Sequence, residues 1–463
     1  MSLHGSFSLP AGRICTLEGA GFASDYAALL LDTLGVQVRR QPGRDDLHPA
    51  VAWANSGAMA LTGHADGSSQ MCPVPLASCI DGVRAAFAAL AGNALSLPGA
   101  EVLGERAALS GLQRNGAIAP GGVCRLLRAA DGWLAVNLTR DDDWQLLPAW
   151  LECPVDATWD AVAGQLATRA LSTLVERGRL LGLAVAAAVS PQVQNLPLPW
   201  QVVMQTGVPR TTQGRASPLV VDLSALWAGP LCSHLLQLAG ARVVKVESLQ
   251  RPDGARLGPA EFYDLINHGK ASVALDFSTA QGIGQLRTLL EHADIVIEAS
   301  RPRALHQLGI FAEELVATKP GMTWISITGY GRTVPQMDWI AYGDDAGVAA
   351  GLSGLLLELT GDALFCGDAI ADPLTGWHAA LAALVSHQNG GGRLISLALC
   401  DVVGHCLNFK LPASADALHQ RWRDWSAHVI DIEAALPRAR LPAGKASALG
   451  ADTQSILTAL RIP

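Results

Sequence analysis

Pro218-Leu219-Val220-Val221-Asp222-Leu223, then Ala228-Gly229-Pro230, Leu231 to Leu238 and Ala241-Arg242-Val243-Val244-Lys245-Val246-Glu247 together decide the fold. A short apolar run leads to a glycine-proline turn. A helical segment with Gly240 as its C-cap follows, and then a second apolar run ending in charge. Strand, turn, helix and strand make a βαβ unit, which implies a parallel sheet with right-handed crossovers. Further strands are expected over 271–275, 295–298 and 323–328, with helices over 280–293 and 311–316 between them. The fold class read from this half is α/β, a doubly wound parallel (Rossmann-like) sheet, whose ligands bind outside the carboxyl ends of the strands. A dinucleotide is disfavoured. The first turn, Ala225-Leu226-Trp227-Ala228-Gly229-Pro230, has no Gly-x-Gly-x-x-Gly pattern, and Gly19-Ala20-Gly21 near the start offers only two of the three glycines.

Outward from this stretch, the chain repeats itself. Residues 22–40 parallel 227–245 without a gap. Ser56-Gly57 with Leu61-Thr62-Gly63 parallels Ser353-Gly354 with Leu359-Thr360-Gly361, and 75–90 parallels 369–384. Three blocks in one order point to a duplication whose first copy is partial. Between the copies, Cys124 to Asn137 reads as a hairpin around Asp131-Gly132, with helices near 158–170 and 173–180, a small α+β domain. The expected domains are 1–110, a degenerate partial copy of the sheet domain; 122–192, the small α+β domain; 193–217, a linker; 218–405, the complete sheet domain; and 406–463, a C-terminal tail packing back on the sheets.

With 463 residues, 50% hydrophobic and 16% charged, the chain can bury several cores and is not a disordered polypeptide. A net charge of -8 offers nothing to nucleic acid. No apolar run reaches the ~20 residues of a membrane helix, and Met1 to Gly5 does not look like a signal peptide. Nine scattered cysteines without Cys-x-x-Cys, and twelve histidines without His-Glu-x-x-His, predict reduced thiols in a cytoplasmic protein and no metal site.

Five segments resemble the class III coenzyme A transferase family, the superfamily of formyl-CoA and carnitine CoA transferases and α-methylacyl-CoA racemases. They are Val221-Asp222-Leu223-Ser224 with Ala228-Gly229-Pro230 and 240–247; 267–276; 293–302 with Leu308-Gly309; 325–331; and 372–378. The tail from Leu441 to Leu460 is similar to the family's C-terminal helix. In the family the small domain follows the catalytic sheet segment, whereas here it precedes the complete sheet. Family members form interlocked dimers, so the resemblance implies a homodimer, with a monomeric, fused pseudo-dimer as the alternative.

The resemblance places the family's nucleophilic carboxylate at Asp372 and further acids at Asp344 and Asp345, after Tyr342-Gly343. It implies CoA transfer between an acyl-CoA and a small carboxylic acid through an aspartyl anhydride and an aspartyl-CoA thioester. No cofactor is held permanently; coenzyme A is substrate. An acyl-CoA racemase and a non-catalytic CoA-binding protein are the alternatives, and the absence of a histidine beside Asp344 and Asp345 disfavours the racemase. The CoA contacts carried over are Trp227, Ala228, Ser248, Leu275, Asp276, Ser278, Ala299, Ser300, Arg301 and Tyr342. Arg251, Arg256, Lys270, Arg301 and Arg303 are candidate phosphate partners, because a forked guanidinium suits phosphate. Read by itself, Asp372-Pro373 is a helix N-cap followed by proline at N1, a position that lowers a carboxylate's pKa. In the first copy Ser78 stands at the matching position, where it can cap but cannot form an anhydride. Oxyanion donors are expected from elsewhere, with Gly351 to Gly354 as a candidate loop.

Overall fold

The structure is a computed structural model that describes residues 13–92, 96–191, 197–206 and 217–463. The first five residues, and most of the expected linker (193–196 and 207–216), lie outside the described residues.

Three sheets follow one another along the chain. The first is a parallel pair, β1 (Ile14–Glu18) and β2 (Gln37–Gln41), joined by the helix Phe22–Thr33. The second is the expected hairpin, β3 (Cys124–Ala129) and β4 (Gly132–Asn137), extended by β5 (Ala184–Ala187) into three antiparallel strands. The third contains β6 (Gln201–Gln205), β7 (Leu219–Asp222), β8 (Arg242–Ser248), β9 (Ala271–Leu275), β10 (Ile295–Glu298), β11 (Thr323–Thr328) and β12 (Arg393–Ala398). Its order is β6-β12-β11-β10-β7-β8-β9, all parallel except β6, which pairs antiparallel with β12. The chain therefore winds outward from β7 through β8 to β9, then returns to β10 and winds the other way. The reversal between β7 and β10 is the topological switch point, where the two connections diverge and leave a crevice.

Two expectations shift locally. Ala228-Gly229-Pro230 is the first turn of the helix Ala228–Leu238 rather than a free turn, because proline is accommodated where helix N–H groups lack partners. The expected linker contributes the edge strand β6, whose side chains alternate between exposed and half-buried.

Four helices pack in a row, and two of them, Ala371–Gln388 and Ala228–Leu238, lie against the large sheet. The helix Phe22–Thr33 packs on Leu76–Ala91, that on Ala371–Gln388, and that on Ala228–Leu238. Their apolar faces form one continuous core, from Tyr26 and Leu31 through Phe87 and Trp377 to Leu231. Glycines permit the closest crossings. A Cβ on Gly376 would lie 2.8 Å from the Ala228 carbonyl oxygen and 3.0 Å from Leu231 Cβ; a Cβ on Gly82 would lie 2.6 Å from the Ala23 carbonyl oxygen and 2.9 Å from Tyr26 Cβ. Beside the helix Leu399–Asn408, the buried Tyr26 hydroxyl bonds His378 Nε2 at 2.9 Å and His405 Nδ1 at 2.8 Å. This polar knot fixes how the N-terminal helices sit on the sheet, because leaving any member unpaired costs about 1–3 kcal/mol.

All nine cysteines are free thiols, seven of them buried. Among the described residues no helix is long and apolar enough to cross a membrane, and no group of three or more His, Cys, Asp or Glu side chains could hold a metal ion.

Candidate active site

The helices Ala228–Leu238 and Ala371–Gln388 both begin at the carboxyl edge of the large sheet, one leaving β7 and the other leading to β12. Gly376 lets them approach, so Asp372, one turn earlier, comes against the backbone N–H of Ala228. That amide is the first of its helix, which has no side-chain cap of its own. Asp372 thus serves a neighbouring helix. It is the second residue of its own helix, whose N-cap is Ile370, so the expected Asp-Pro cap does not form. The chain enters this helix through Ala369, whose φ of 42° is left-handed and strained for a residue with a side chain. Asp344 pins that conformation by accepting the Ala369 N–H at 2.8 Å.

Gly343 lies directly against the carboxylate. A Cβ there would be 2.1 Å from Asp372 Oδ2 and 2.5 Å from the Ala369 carbonyl oxygen. Gly343 opens the helix Gly343–Ala349, in which Asp344 and Asp345 are the next two residues, and both are buried rather than exposed. Asp345 accepts the Tyr342 N–H at 3.0 Å and Asn137 Nδ2 at 2.8 Å; its Oδ2 has no partner among the described residues. Asn137 ends β4, so the small sheet reaches into this site.

One further acid and one cation complete the centre. Asp368, wholly buried, takes Arg106 Nε at 2.9 Å and Nη2 at 2.5 Å. Arg106 belongs to the short helix Glu105–Ser110 of the N-terminal segment, and its guanidinium stands 5.8 Å from the Trp227 ring centroid. Burial pushes Asp372 up to about 7; Arg106 and the Ala228 N–H oppose the rise, while Asp344 and Asp368 add to it. Asp344 is pushed up to about 6 by burial and Asp368, against Arg106 and the Ala369 N–H. Burial and Asp344 carry Asp345 to about 7 against the hydrogen bonds from Asn137 and Tyr342. The carboxylate expected to be held low by a cap is instead held high by its surroundings. Asp372 nevertheless keeps part of its surface accessible.

Around this centre the predicted CoA contacts separate into two groups. Trp227 and Ala228 follow β7, Ala299 to Arg301 follow β10, and Tyr342 precedes the Gly343 helix, so these residues border the switch point. A Cβ on Gly229 would lie 3.6 Å from Ala299 Cβ, which brings the two strand ends together. Ser248, Leu275, Asp276 and Ser278 stand at the ends of β8 and β9, farther out along the same edge. Ser278 and Gln250 both donate to Asp276.

Three sequence expectations fail on packing. Lys270 is buried and donates to Asp222, Asn267, Ser233 and the Pro230 carbonyl oxygen, which leaves no donor for a phosphate. Arg256 is spent on Glu247, with Nη2 at 2.6 Å. The Gly351 to Gly354 loop is covered by other backbone: Cβ atoms there would meet Pro191 Cα at 2.7 Å and the Val189 carbonyl oxygen at 2.0 Å. Arg301 stays half-buried, with burial, Arg303 and Arg140 disfavouring its charge, and carries no ion pair among the described residues.

Arg106, Asp368 and Asn137 were not found from the sequence. The partner of Arg106 is 262 positions away, and Glu105-Arg106-Ala107-Ala108 reads as an ordinary helical surface.

Most of the residues that build this site lie in a segment that is similar to known proteins. Residues 218–429 match CoA-transferase family III. The family segment includes Asp344, Asp345, Asp368 and Asp372; Arg106 and Asn137 precede it. The chain is 32% identical over 200 residues to succinate–glutarate CoA-transferase of Agrobacterium fabrum, covering 40% of this chain and 50% of the relative. It is 30% identical over 204 residues to succinyl-CoA–D-citramalate CoA-transferase of Chloroflexus aurantiacus, covering 42% and 51%. Among solved structures, a CaiB/BaiF family protein from Brucella suis is 26% identical, covering 51% of this chain and 60% of that one with a TM-score of 0.37. The chain spans about half the length of the curated relatives it matches.

Proposed function

We propose that the chain transfers coenzyme A from an acyl-CoA to a small carboxylic acid, with Asp372 as the nucleophile. The observation that carries this reading is the position of Asp372: within the family segment, against the first amide of a second helix, at the carboxyl edge where a doubly wound sheet binds ligands.

The chemistry follows from that position. One Asp372 carboxylate oxygen attacks the thioester carbonyl carbon, the C–S bond breaks, and CoA leaves as thiolate with a mixed anhydride on the enzyme. The thiolate attacks Asp372 Cγ and expels the donor's acid, which gives an aspartyl-CoA thioester. The acceptor carboxylate then displaces the thiolate from Cγ, forming a second anhydride. Attack of the thiolate on the acceptor's carbonyl carbon releases the new acyl-CoA and restores Asp372. Every intermediate is activated toward water, so the packed wall of Gly343, Trp227 and the Ala228 helix serves to exclude it. Trp227, Ala228, Ser248, Leu275, Asp276, Ser278, Ala299, Ser300, Arg301 and Tyr342 line the path assigned to CoA. Asp344 and Asp345 shape the carboxylate's field and its backbone support.

The N-terminal segment fits a partial second copy, which makes the chain a fused pseudo-dimer with one live site. Gly82 meets Ala23 and Tyr26 as Gly376 meets Ala228 and Leu231, at the positions the sequence repeat pairs. Ser78 then stands where Asp372 does.

The test combines an exchange assay with a mass measurement. Succinyl-CoA and other short acyl-CoAs are offered with oxalate, succinate and glutarate, and the active fraction is sized by light scattering. Transfer without exchange of α-protons, from a species of single-chain mass, is expected. Binding of CoA without turnover, or α-proton exchange in its place, contradicts the enzymatic reading; an obligate dimer contradicts the fusion.

A further inference from the structure

We infer that Arg106, supplied by the N-terminal segment outside the family match, is the positioning residue that keeps the Asp372 carboxylate ready to attack. The inference rests on the functional reading above for the word attack; the electrostatic link between the two side chains stands apart from it.

Asp344 accepts the Ala369 N–H, Asp368 and Asp372 flank Ala369 in the same turn, and Gly343, next to Asp344, lies against Asp372 Oδ2, so the three carboxylates gather in one small volume. Buried carboxylates this close are driven to the neutral form by desolvation and by one another. The cation acting on Asp344 and Asp372 alike is Arg106. Its charge is permanent, and its fork is clamped by both oxygens of Asp368. The Trp227 ring lies against one side of it. A Cβ on Gly121 would stand 3.4 Å from Nη2, so a backbone turn closes another side. The guanidinium is thereby held by Asp368 without being used up on Asp372, and among the described residues no ion pair joins Arg106 to Asp372 directly.

The groups that face Asp372 come from four further segments. Asp344 arrives on the Gly343 helix, Asp368 on the turn before the Ala371 helix, and Arg106 on its own short helix; the Ala228 helix adds a backbone amide. Only Arg106 in this set brings positive side-chain charge. A carboxylate must be ionised to attack a thioester, so the segment carrying the degenerate copy completes a site that the family segment does not complete by itself. The same contact also staples that segment to the sheet domain, which makes a purely structural role the rival explanation.

Titration of Asp372 separates the two. Infrared difference spectra with carbon-13 aspartate, full chain against Asp372→Asn, report protonation of this carboxyl whether or not CoA is transferred. Arg106→Gln is expected to raise the Asp372 midpoint by about one pH unit or more, and the acid limb of kcat/KM by the same amount. Arg106→Lys keeps the charge and is expected to hold the midpoint within about 0.3 unit of the parent. Arg106→Gln/Asp368→Asn removes the pair without stranding a buried charge and is expected to fall between. Should Arg106→Gln fail to fold, the double variant decides alone. A folded Arg106→Gln or double variant with an unmoved midpoint overturns the inference, as does Arg106→Lys shifting as far as Arg106→Gln. A shifted midpoint in a chain that transfers no CoA upholds the electrostatic link and rejects the functional reading; transfer with an unmoved midpoint does the reverse.

Discussion

Replacing Asp372 with asparagine is expected to lower CoA transfer by about 10⁴-fold or more, because an amide of the same shape cannot form the anhydride. The fold is expected to survive, since the helix start and its close packing stay the same. Stability should move the other way from activity. In the folded chain the Asp372 carboxyl is pushed up to about 7 from its ordinary 3.8. Its favourable contribution is therefore present below the unfolded pKa and is lost as pH rises through the folded value. Asp344 and Asp345, pushed up to about 6 and about 7, act in the same direction. The parent is expected to melt lower at pH 8 than at pH 5 through these groups, and Asp372→Asn to recover part of the difference, on the order of a few degrees. Transfer by the parent should rise through about pH 7 as Asp372 ionises. Activity thus appears over the same interval in which stability is given up. Melting curves and kcat/KM profiles across that interval check both signs.

Gly343→Ala is expected to be nearly as damaging although it removes no chemical group. The new methyl would sit 2.1 Å from Asp372 Oδ2 and 2.5 Å from the Ala369 carbonyl oxygen. Neither position can give way cheaply, because Asp372 rests on the Ala228 amide and Ala369 is held by Asp344. Turning the carboxylate aside is the cheaper relief. A displacement of about 1 Å in a reacting group costs on the order of 100-fold in rate, so a loss of at least that size in kcat is expected. Gly343 does not have a positive φ, so the backbone tolerates alanine and the effect is steric. Gly284→Ala, where a Cβ meets nothing within 4 Å, is the matching control and is expected to leave transfer unchanged.

The sequence made some parts of this arrangement readable and hid others for physical reasons. The strands β9, β10 and β11 run over the residues expected of them, and all but the first residue of β9 are buried. A buried parallel strand is apolar along its whole length, and charged or turn residues bound it. The strand β12 is fully buried too, yet it is not among the expected strands, although Gly390-Gly391-Gly392 marks its start. Asp372 was legible as an acid at the start of a long apolar helix, and as the family's carboxylate through the resemblance. Its role as a partner of the Ala228 amide was not, because that contact depends on a helix crossing rather than on local propensity. The same limit hid Arg106, Asp368 and Asn137, whose meaning arises only when segments far apart in sequence fold against one another. Lys270 shows the reverse error: a lysine in a family-like stretch reads as a ligand for phosphate until burial shows that four protein oxygens, one of them a carboxylate, already surround it.

The account stands most directly on a covalent bond to one side chain. Incubating the full chain with succinyl-CoA and then with borohydride reduces an aspartyl-CoA thioester to the alcohol, leaving homoserine in place of aspartate. Peptide mass spectrometry is expected to find homoserine at position 372, in the presence of the acyl-CoA only. Reduction at another acid, or an unmodified Asp372 in a preparation that is transferring CoA, would contradict it.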